Sequence, residues 1–216
     1  MIKIENVEVV GWEHAIRGMR NPMNSWDKSD SNFSYTDLHF EERSCTDIGN
    51  NDLSLMKKLS KAGTDHRKFM RMIPVYVDIT APQFWWSEFD TYKIGTVRNS
   101  CSKMHKIHIK EFIAYYFSHD GINEVGRRTQ LHFANTIIEL EWLRQKFNET
   151  GEKKYWRAII ELLPSGYNMK ATVMLNYEVL ANMYKSRKAH KLDEWIEFCK
   201  WIETLPYSEL ITGEEK

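Results

Sequence analysis

Three groups of side chains in this 216-residue chain have types and spacings that could do chemistry. Cys101, His105 and His108 stand at i, i+4 and i+7, one face of a helix, and thiol plus imidazole is a donor set that suits zinc. No second Cys/His group lies nearby to complete four ligands, so the expectation is no metal and a partly buried helix face with solvent-facing histidines. Trp85 and Trp86 could stack on a planar ring. Adjacent residues on a helix point in different directions, so at least one of the two belongs to the core. Asn176, Asn182 and Arg187 follow one another at intervals of six and five residues, in a segment that also carries Val179, Leu180 and Met183. At 100° per residue they are offset by about 120–240° and form no single stripe. Taken singly, each reads as solvated surface. Dinucleotide-binding G-x-G-x-x-G, Walker A and G-x-S-x-G sequences are absent.

The elements that would position these groups are uneven in clarity. Ile2 to Val10 alternates apolar and polar residues and reads as a half-buried strand with an irregularity at Asn6. Trp12 to Met19 reads as a short helix. Arg20 to Asn51, rich in Ser, Asp and Asn, reads as a long loop with helix fragments near Tyr35–Glu42, and loops of that length are often functional. Asn51-Asp52 is expected to cap a helix reaching Ala62, with Gly63 as its stop. Ile73, Val75, Val77 and Ile79 give the clearest strand, ended by Ala81-Pro82 and followed by a helix from Gln83 to Tyr92. Residues 95–103 read as irregular. Helices are expected near 105–117, 129–148, 153–163, 172–188 and 191–204, from apolar residues at three- and four-residue spacing. A small sheet with many helices is an α+β protein, here expected as a single domain over 1–216.

Composition narrows the classes. Thirty Lys and Arg balance 30 Asp and Glu, which removes the basic excess typical of nucleic-acid binders. No apolar run approaches the ~18 residues that span a bilayer, and the start is polar at alternate positions, unlike a signal peptide. Cys45, Cys101 and Cys199 are odd in number and widely spaced, which suits a reducing compartment. The expectation is a cytoplasmic protein that binds neither nucleic acid nor membrane.

The ordering of several segments carries a family likeness. Ala81-Pro82-Gln83-Phe84 follows a strand. Leu163-Pro164 leads to Asn176, twelve residues after the proline, then to Asn182 and Arg187, with His190 and Glu194-Trp195 beyond. Upstream lie Leu55-Met56-Lys57-Lys58-Leu59, Gly63, His66 and Phe69, and before them Ala15 to Arg20. In that order the chain resembles the flavin-dependent thymidylate synthases over roughly residues 11–204. The family signature R-H-R-x-x-S-x-N-E-x-S-x-R, laid on without gaps, falls on Thr91 to Lys103, with chemical similarity at Lys93, Thr96, Cys101 and Lys103.

The resemblance implies an α+β fold with a central antiparallel sheet flanked by helices, assembled as a homotetramer. It implies reductive methylation of dUMP to dTMP, with methylenetetrahydrofolate giving the carbon, FAD carrying the hydride and NADPH reloading the flavin. It puts Asn176, Asn182, Lys93, Thr91 and Tyr92 at FAD, and Arg187, Cys101, Lys103, Glu88 and Arg98 at the nucleotide. Departures matter too. Thr91 and Tyr92 stand for the first Arg and the His of the signature, Glu88 for a Gln, and Ile160 for an Arg. Each charge-assisted contact contributes about 1.5–3 kcal/mol, so two alternatives stay open: a catalytically inactive nucleotide-binding protein on the same scaffold, or a flavoenzyme acting on another pyrimidine nucleotide. Cys101 is expected to line the ligand pocket, against the alternative of a small, buried, inert residue. Trp195 and Trp201 read as an exposed stripe for intersubunit contact.

Overall fold

The computed structural model describes residues 2–36 and 43–213, and side chains at all of these except 34–36 and 43–46. In chain order the elements are β1 (Lys3–Val9), α1 (Trp12–Arg20), β2 (Asn32–Thr36), β3 (Arg43–Asp47), α2 (Asn50–Lys61), β4 (Pro74–Pro82), α3 (Gln83–Phe89), β5 (Val97–Ser100), α4 (Lys103–Lys106), α5 (Asp120–Val125), α6 (Arg127–Thr150), α7 (Lys153–Leu162), β6 (Asn168–Asn176), α8 (Tyr177–Arg187), α9 (Asp193–Glu203) and α10 (Glu209–Thr212). Four strands form an antiparallel sheet in the order β1-β4-β6-β5, and β2 pairs with β3 as a separate two-stranded sheet. The class is α+β, as the pattern of elements implied.

The sheet is built on alternation. In β4, Val75, Val77, Ile79 and Ala81 are all buried while Tyr76 between them is exposed. In β6, Ala171, Val173 and Leu175 are buried in the same rhythm. This corrects the expectation of a helix from 172. Residues 168–176 form a strand and only Tyr177 onward is helical, because the apolar spacing of Val173, Leu175 and Val179 fits both periods at a strand–helix junction. Residues 97–100, expected to be irregular, are β5 at the sheet edge. The helix expected over 105–117 is only the four residues of α4. Beyond it Ile107, Phe112 and Phe117 enter the core from irregular chain, whose apolar spacing imitated a helix. Asn6 has φ 51°, so the irregularity expected there is present within β1.

The residues group into two compact units. The first comprises Met1–Glu5, Asp78–Thr91 and Arg98–Val173. Its core joins Phe112 and Phe117 to Ile137, Leu140 and Leu143 of α6 and Ile159 of α7. α6 is 24 residues long and presents Leu131, Ile138 and Trp142 to solvent on its other side.

The second unit comprises Asn6–Val77, Tyr92–Val97 and Met174–Lys216. Trp12, Ala15, Ile16 and Met19 of α1 are buried at the spacing of one helix face. Gly11, just before α1, has φ +87°, and a Cβ there would lie 2.2 Å from the Met72 carbonyl oxygen, so only glycine fits. The long loop is tied down at its start. Asp30 accepts from the backbone N–H of Asn51 at 2.9 Å and of Asp52 at 3.1 Å, capping the first turn of α2 from outside. The expected cap by Asn51-Asp52 is thereby corrected: Gly49 is the N-cap residue and Asp52 sits inside the helix. Asp52 turns back and accepts from the hydroxyls of Ser29 and Ser31, each at 2.7 Å. Of the helix fragments expected near Tyr35–Glu42, Tyr35 and Thr36 belong to β2 and residues 37–42 lie outside the described residues.

Candidate functional site

The sequence-derived site residues divide between the units: Glu88, Thr91, Arg98, Cys101 and Lys103 in the first, Tyr92, Lys93, Asn176, Asn182 and Arg187 in the second.

In the second unit, α8 is the positioning element. Asn176 is its N-cap: the side-chain Oδ1 accepts from the Val179 backbone N–H at 3.0 Å, satisfying one of the donors that a helix start leaves open. The residue is buried, and the turn carrying Gly95 presses on it. A Cβ at Gly95, φ +79°, would lie 2.9 Å from Val179 Cγ2 and 3.2 Å from Asn176 Nδ2. Asn182, exposed on α8, accepts from Arg67 Nη2 at 3.4 Å. Arg67 in turn has Nε 2.9 Å from Oε2 of the buried Glu178, an ion pair without aligned hydrogen-bond geometry. Arg67 and Glu178 are residues that sequence reasoning missed; the only signal was their closeness to His66 and Asn182.

Arg187 ends α8 half-buried, among aromatic rings. Its Nε donates to the Tyr92 hydroxyl at 2.9 Å. The guanidinium carbon lies 4.7 Å from the Trp195 ring centroid and 5.6 Å from that of Tyr92, within cation–π range. Arg187 Nη1 is 2.9 Å from His190 Nε2, while the Leu192 N–H lies 3.2 Å from His190 Nδ1. Tyr92 and Arg187, 95 residues apart, are therefore brought together. Lys93 is exposed beside them in sequence. Trp195 is fully buried as the plate beneath the guanidinium, which overturns its reading as an exposed intersubunit residue; Trp201 is half-buried.

In the first unit, Arg98 lies over the Trp86 ring at 4.7 Å, and its Nη2 is 3.1 Å from Asp90 Oδ2. Trp86 itself is buried, with Nε1 donating to the Met169 carbonyl at 3.0 Å, and Trp85 is buried beside it, so both tryptophans are core residues. Lys103 Nζ donates to Gln83 Oε1. Burial, and after it the nearby charge of Arg98, pull the Lys103 ammonium below its ordinary value. The Gln83 side-chain Nε2 is buried and has no protein hydrogen-bond partner among the described residues. It is a donor available to a ligand oxygen or a water. Sequence reasoning passed over Gln83 because it fills the variable position of the P-x-F segment. Glu88 lies in the last turn of α3 and Thr91 two residues beyond its end, where the Glu88 carbonyl accepts from the Thr91 N–H at 3.1 Å and hydroxyl at 2.7 Å. Cys101 carries an exposed free thiol, so the expectation of a buried residue there is overturned. Cys101, His105 and His108 do not share a helix face, because α4 holds only His105 of the three. Among the described residues no group of three His, Cys, Asp or Glu side chains is placed to hold a metal ion. A cavity of about 480 Å³ in this unit, walled by Ala114, His119, Ile122, Phe133 and Ile137, contains none of the residues singled out by the sequence.

No protein-family model matches the chain, and no curated protein matches it in sequence. Solved structures do. The chain is similar to thymidylate synthase X from Helicobacter pylori with FAD and dUMP, at 15% identity and a TM-score of 0.68, over 99% of this chain and 98% of that one. A second structure, of flavin-dependent thymidylate synthase from Helicobacter pylori complexed with FAD and dUMP, matches at 16% identity and a TM-score of 0.69, over 98% of this chain and all of the other. At these identities the shared property is the fold. Among the described residues no helix is long and apolar enough to cross a membrane.

Proposed function

We propose that this protein is a flavin-dependent thymidylate synthase-like enzyme, a cytoplasmic homotetramer in which residues 1–216 act as one domain and which methylates dUMP reductively to dTMP. The observation that carries the reading is the end-to-end likeness in fold to proteins holding FAD and dUMP, joined to Arg187 at the end of α8 on its aromatic plates. A guanidinium on an aromatic floor suits an anion that also bears a planar ring, which describes a pyrimidine nucleotide. Arg187, in the second unit, would take the nucleotide; Lys103, Arg98, Cys101 and Glu88, in the first, are the further nucleotide residues that the resemblance implies. Lys103, whose ammonium is disfavoured by burial, gains most from an incoming anion.

The side chains fit FAD in kind. Lys93 offers an exposed cation for the pyrophosphate, with Thr91 and Tyr92 directly before it in sequence, and Asn182 an exposed amide for flavin-ring polar groups. Asn176, whose Oδ1 caps α8 and whose amide nitrogen packs by the Gly95 turn, would stand at the flavin as the resemblance implies. When bound, FAD supplies the hydride chemistry, methylenetetrahydrofolate the carbon and NADPH the reducing equivalents; the chain supplies orientation and charge.

A second reading, a nucleotide-binding protein without turnover, is favoured by one observation: Arg98, a candidate to replace the lost signature arginines, is already paired with Asp90. One experiment separates the two. Purified protein is mixed with FAD, desalted, and assayed for tritium release from dUMP labelled at C5, with NADPH and methylenetetrahydrofolate present. Retained flavin with tritium release supports the enzyme. Calorimetric dUMP binding without flavin or release supports the binder, and loss of all three sinks both.

A further inference from the structure

The exposed face of α6 is more ordered than a solvated surface requires. At 100° per residue, Arg127, Leu131, Ala134, Ile138, Trp142 and Glu149 fall within about 40° of one line along the helix. All six are exposed, Leu131 at 53%, Ile138 at 66% and Trp142 at 46%, while Ile137, Leu140 and Leu143 on the opposite side are buried. The cavity beside the line shares Ala134 and Ile138 with it, so the apolar surface continues past the helix itself.

The stripe is also self-complementary about its centre. Arg127 lies eleven residues before Ile138 and Glu149 eleven after it. An antiparallel copy related by a two-fold axis at Ile138 therefore sets each Arg127 against the other chain's Glu149. Leu131, Ala134, Asn135 and Ile138 outline a hole of the i, i+3, i+4, i+7 kind, centred three to four residues before Ile138. Trp142, four residues after Ile138, meets that hole in the copy, over the small Ala134. Charge, shape and apolarity thus agree on one register. Glu149 pairs with Lys146 at 2.8 Å, a surface pair that is cheap to rearrange.

We infer that this face of α6 packs antiparallel against α6 of a second copy of this chain, forming an isologous interface with its two-fold axis at Ile138. The inference rests on the homo-oligomer of the proposed function and assigns one of its surfaces.

The test uses the full chain. In the Ile138→Cys variant the new thiols face each other across the axis, so mild oxidation should give a covalent dimer. Gln145→Cys, on the same line but about 10 Å from the axis along each helix, should give none, and the wild type with its native cysteines sets the background. Arg127→Glu should weaken association at least tenfold in sedimentation equilibrium, and adding Glu149→Arg should restore it. Far-UV circular dichroism should stay unchanged, because these side chains are exposed on the single chain. A wild type sedimenting as a monomer overturns both this interface and the homotetramer. An oligomeric wild type whose Ile138→Cys variant forms no cross-link, and whose Arg127→Glu variant associates normally, overturns the interface alone.

Discussion

Arg20 and Arg187 belong to the same compact unit, each closes a helix, and they are built for different ends. Arg20 is buried against Asp52 at 2.6 Å, and its remaining nitrogens donate to the Ser25 carbonyl at 3.1 Å and the Lys28 carbonyl at 3.0 Å. Asp52 is equally occupied, by Arg20, two serine hydroxyls and the backbone N–H groups of Asp30 and Ser31. Arg187 is half-buried on Trp195 and Tyr92, held by a phenol and an imidazole. A buried pair with each guanidinium nitrogen bonded fixes chain geometry; a cation resting on rings at the edge of solvent keeps a field that a ligand can use. Charge type alone did not separate the two, and burial with partner identity does.

The largest effect should come from breaking the buried pair. Asp52→Ala strands the Arg20 charge and should cost about 3–5 kcal/mol of stability in urea unfolding, with nucleotide affinity of the folded fraction unchanged. A loss below 1 kcal/mol would make the loop clamp decorative. The ligand-side counterpart is Arg187→Ala, which should cost about 1.5–3 kcal/mol of nucleotide binding while the melting temperature hardly moves. The opposite outcome, normal affinity with a lowered melting temperature, would put Arg187 with Arg20. Tyr92→Phe sharpens this by deleting a single acceptor. It should weaken nucleotide binding by about 0.5–1.5 kcal/mol, the net worth of one hydrogen bond, and an unchanged calorimetric isotherm would detach Tyr92 from the site.

Acid provides a graded comparison between units. Burial disfavours the Asp52 carboxylate, but hydrogen bonds from Ser31, Ser29 and Arg20 outweigh it and hold the group below its ordinary value. In the first unit, the Arg144 hydrogen bonds hold Glu141 down to about 2, opposed by burial and aided by the Phe112 N–H and Gln145. Both carboxyls are more acidic folded than unfolded. Their stabilisation is complete above the ordinary carboxylate range and is lost as pH falls below it, for Glu141 from about 4.5 towards 2. Glu141→Gln should flatten that acid limb in thermal unfolding; an unaltered limb would assign acid sensitivity elsewhere. The smallest effect is expected at the exposed Cys101, where Ser should shift stability by less than about 0.5 kcal/mol and keep flavin. A bulky thiol reagent there should nonetheless block the nucleotide, and complete labelling with unchanged affinity would take Cys101 out of the pocket.

Sequence by itself determined the strands and helices whose apolar period is unambiguous: β4, α1, α2, α7 and α9. It also placed Asn176, Asn182 and Arg187 in order, and marked Asn6 as a break in the first strand. These are local patterns, in which each residue's burial follows from its neighbours at two or at three to four positions. It failed at β6, where one run of apolar residues serves strand and helix in turn, and at 105–117, where aromatic side chains reach the core from irregular chain. Only the tertiary structure decided that Asn176 caps a helix, that Trp195 is a buried plate, and that Arg187 meets Tyr92 from 95 residues away. Likewise, the polar loop after Arg20 is clamped because Asp30 and Asp52 exchange hydrogen bonds across 22 positions. The reason is physical: a hydrogen bond or ring contact depends on distance in space, and the period of a sequence reports only which side of an element faces inward.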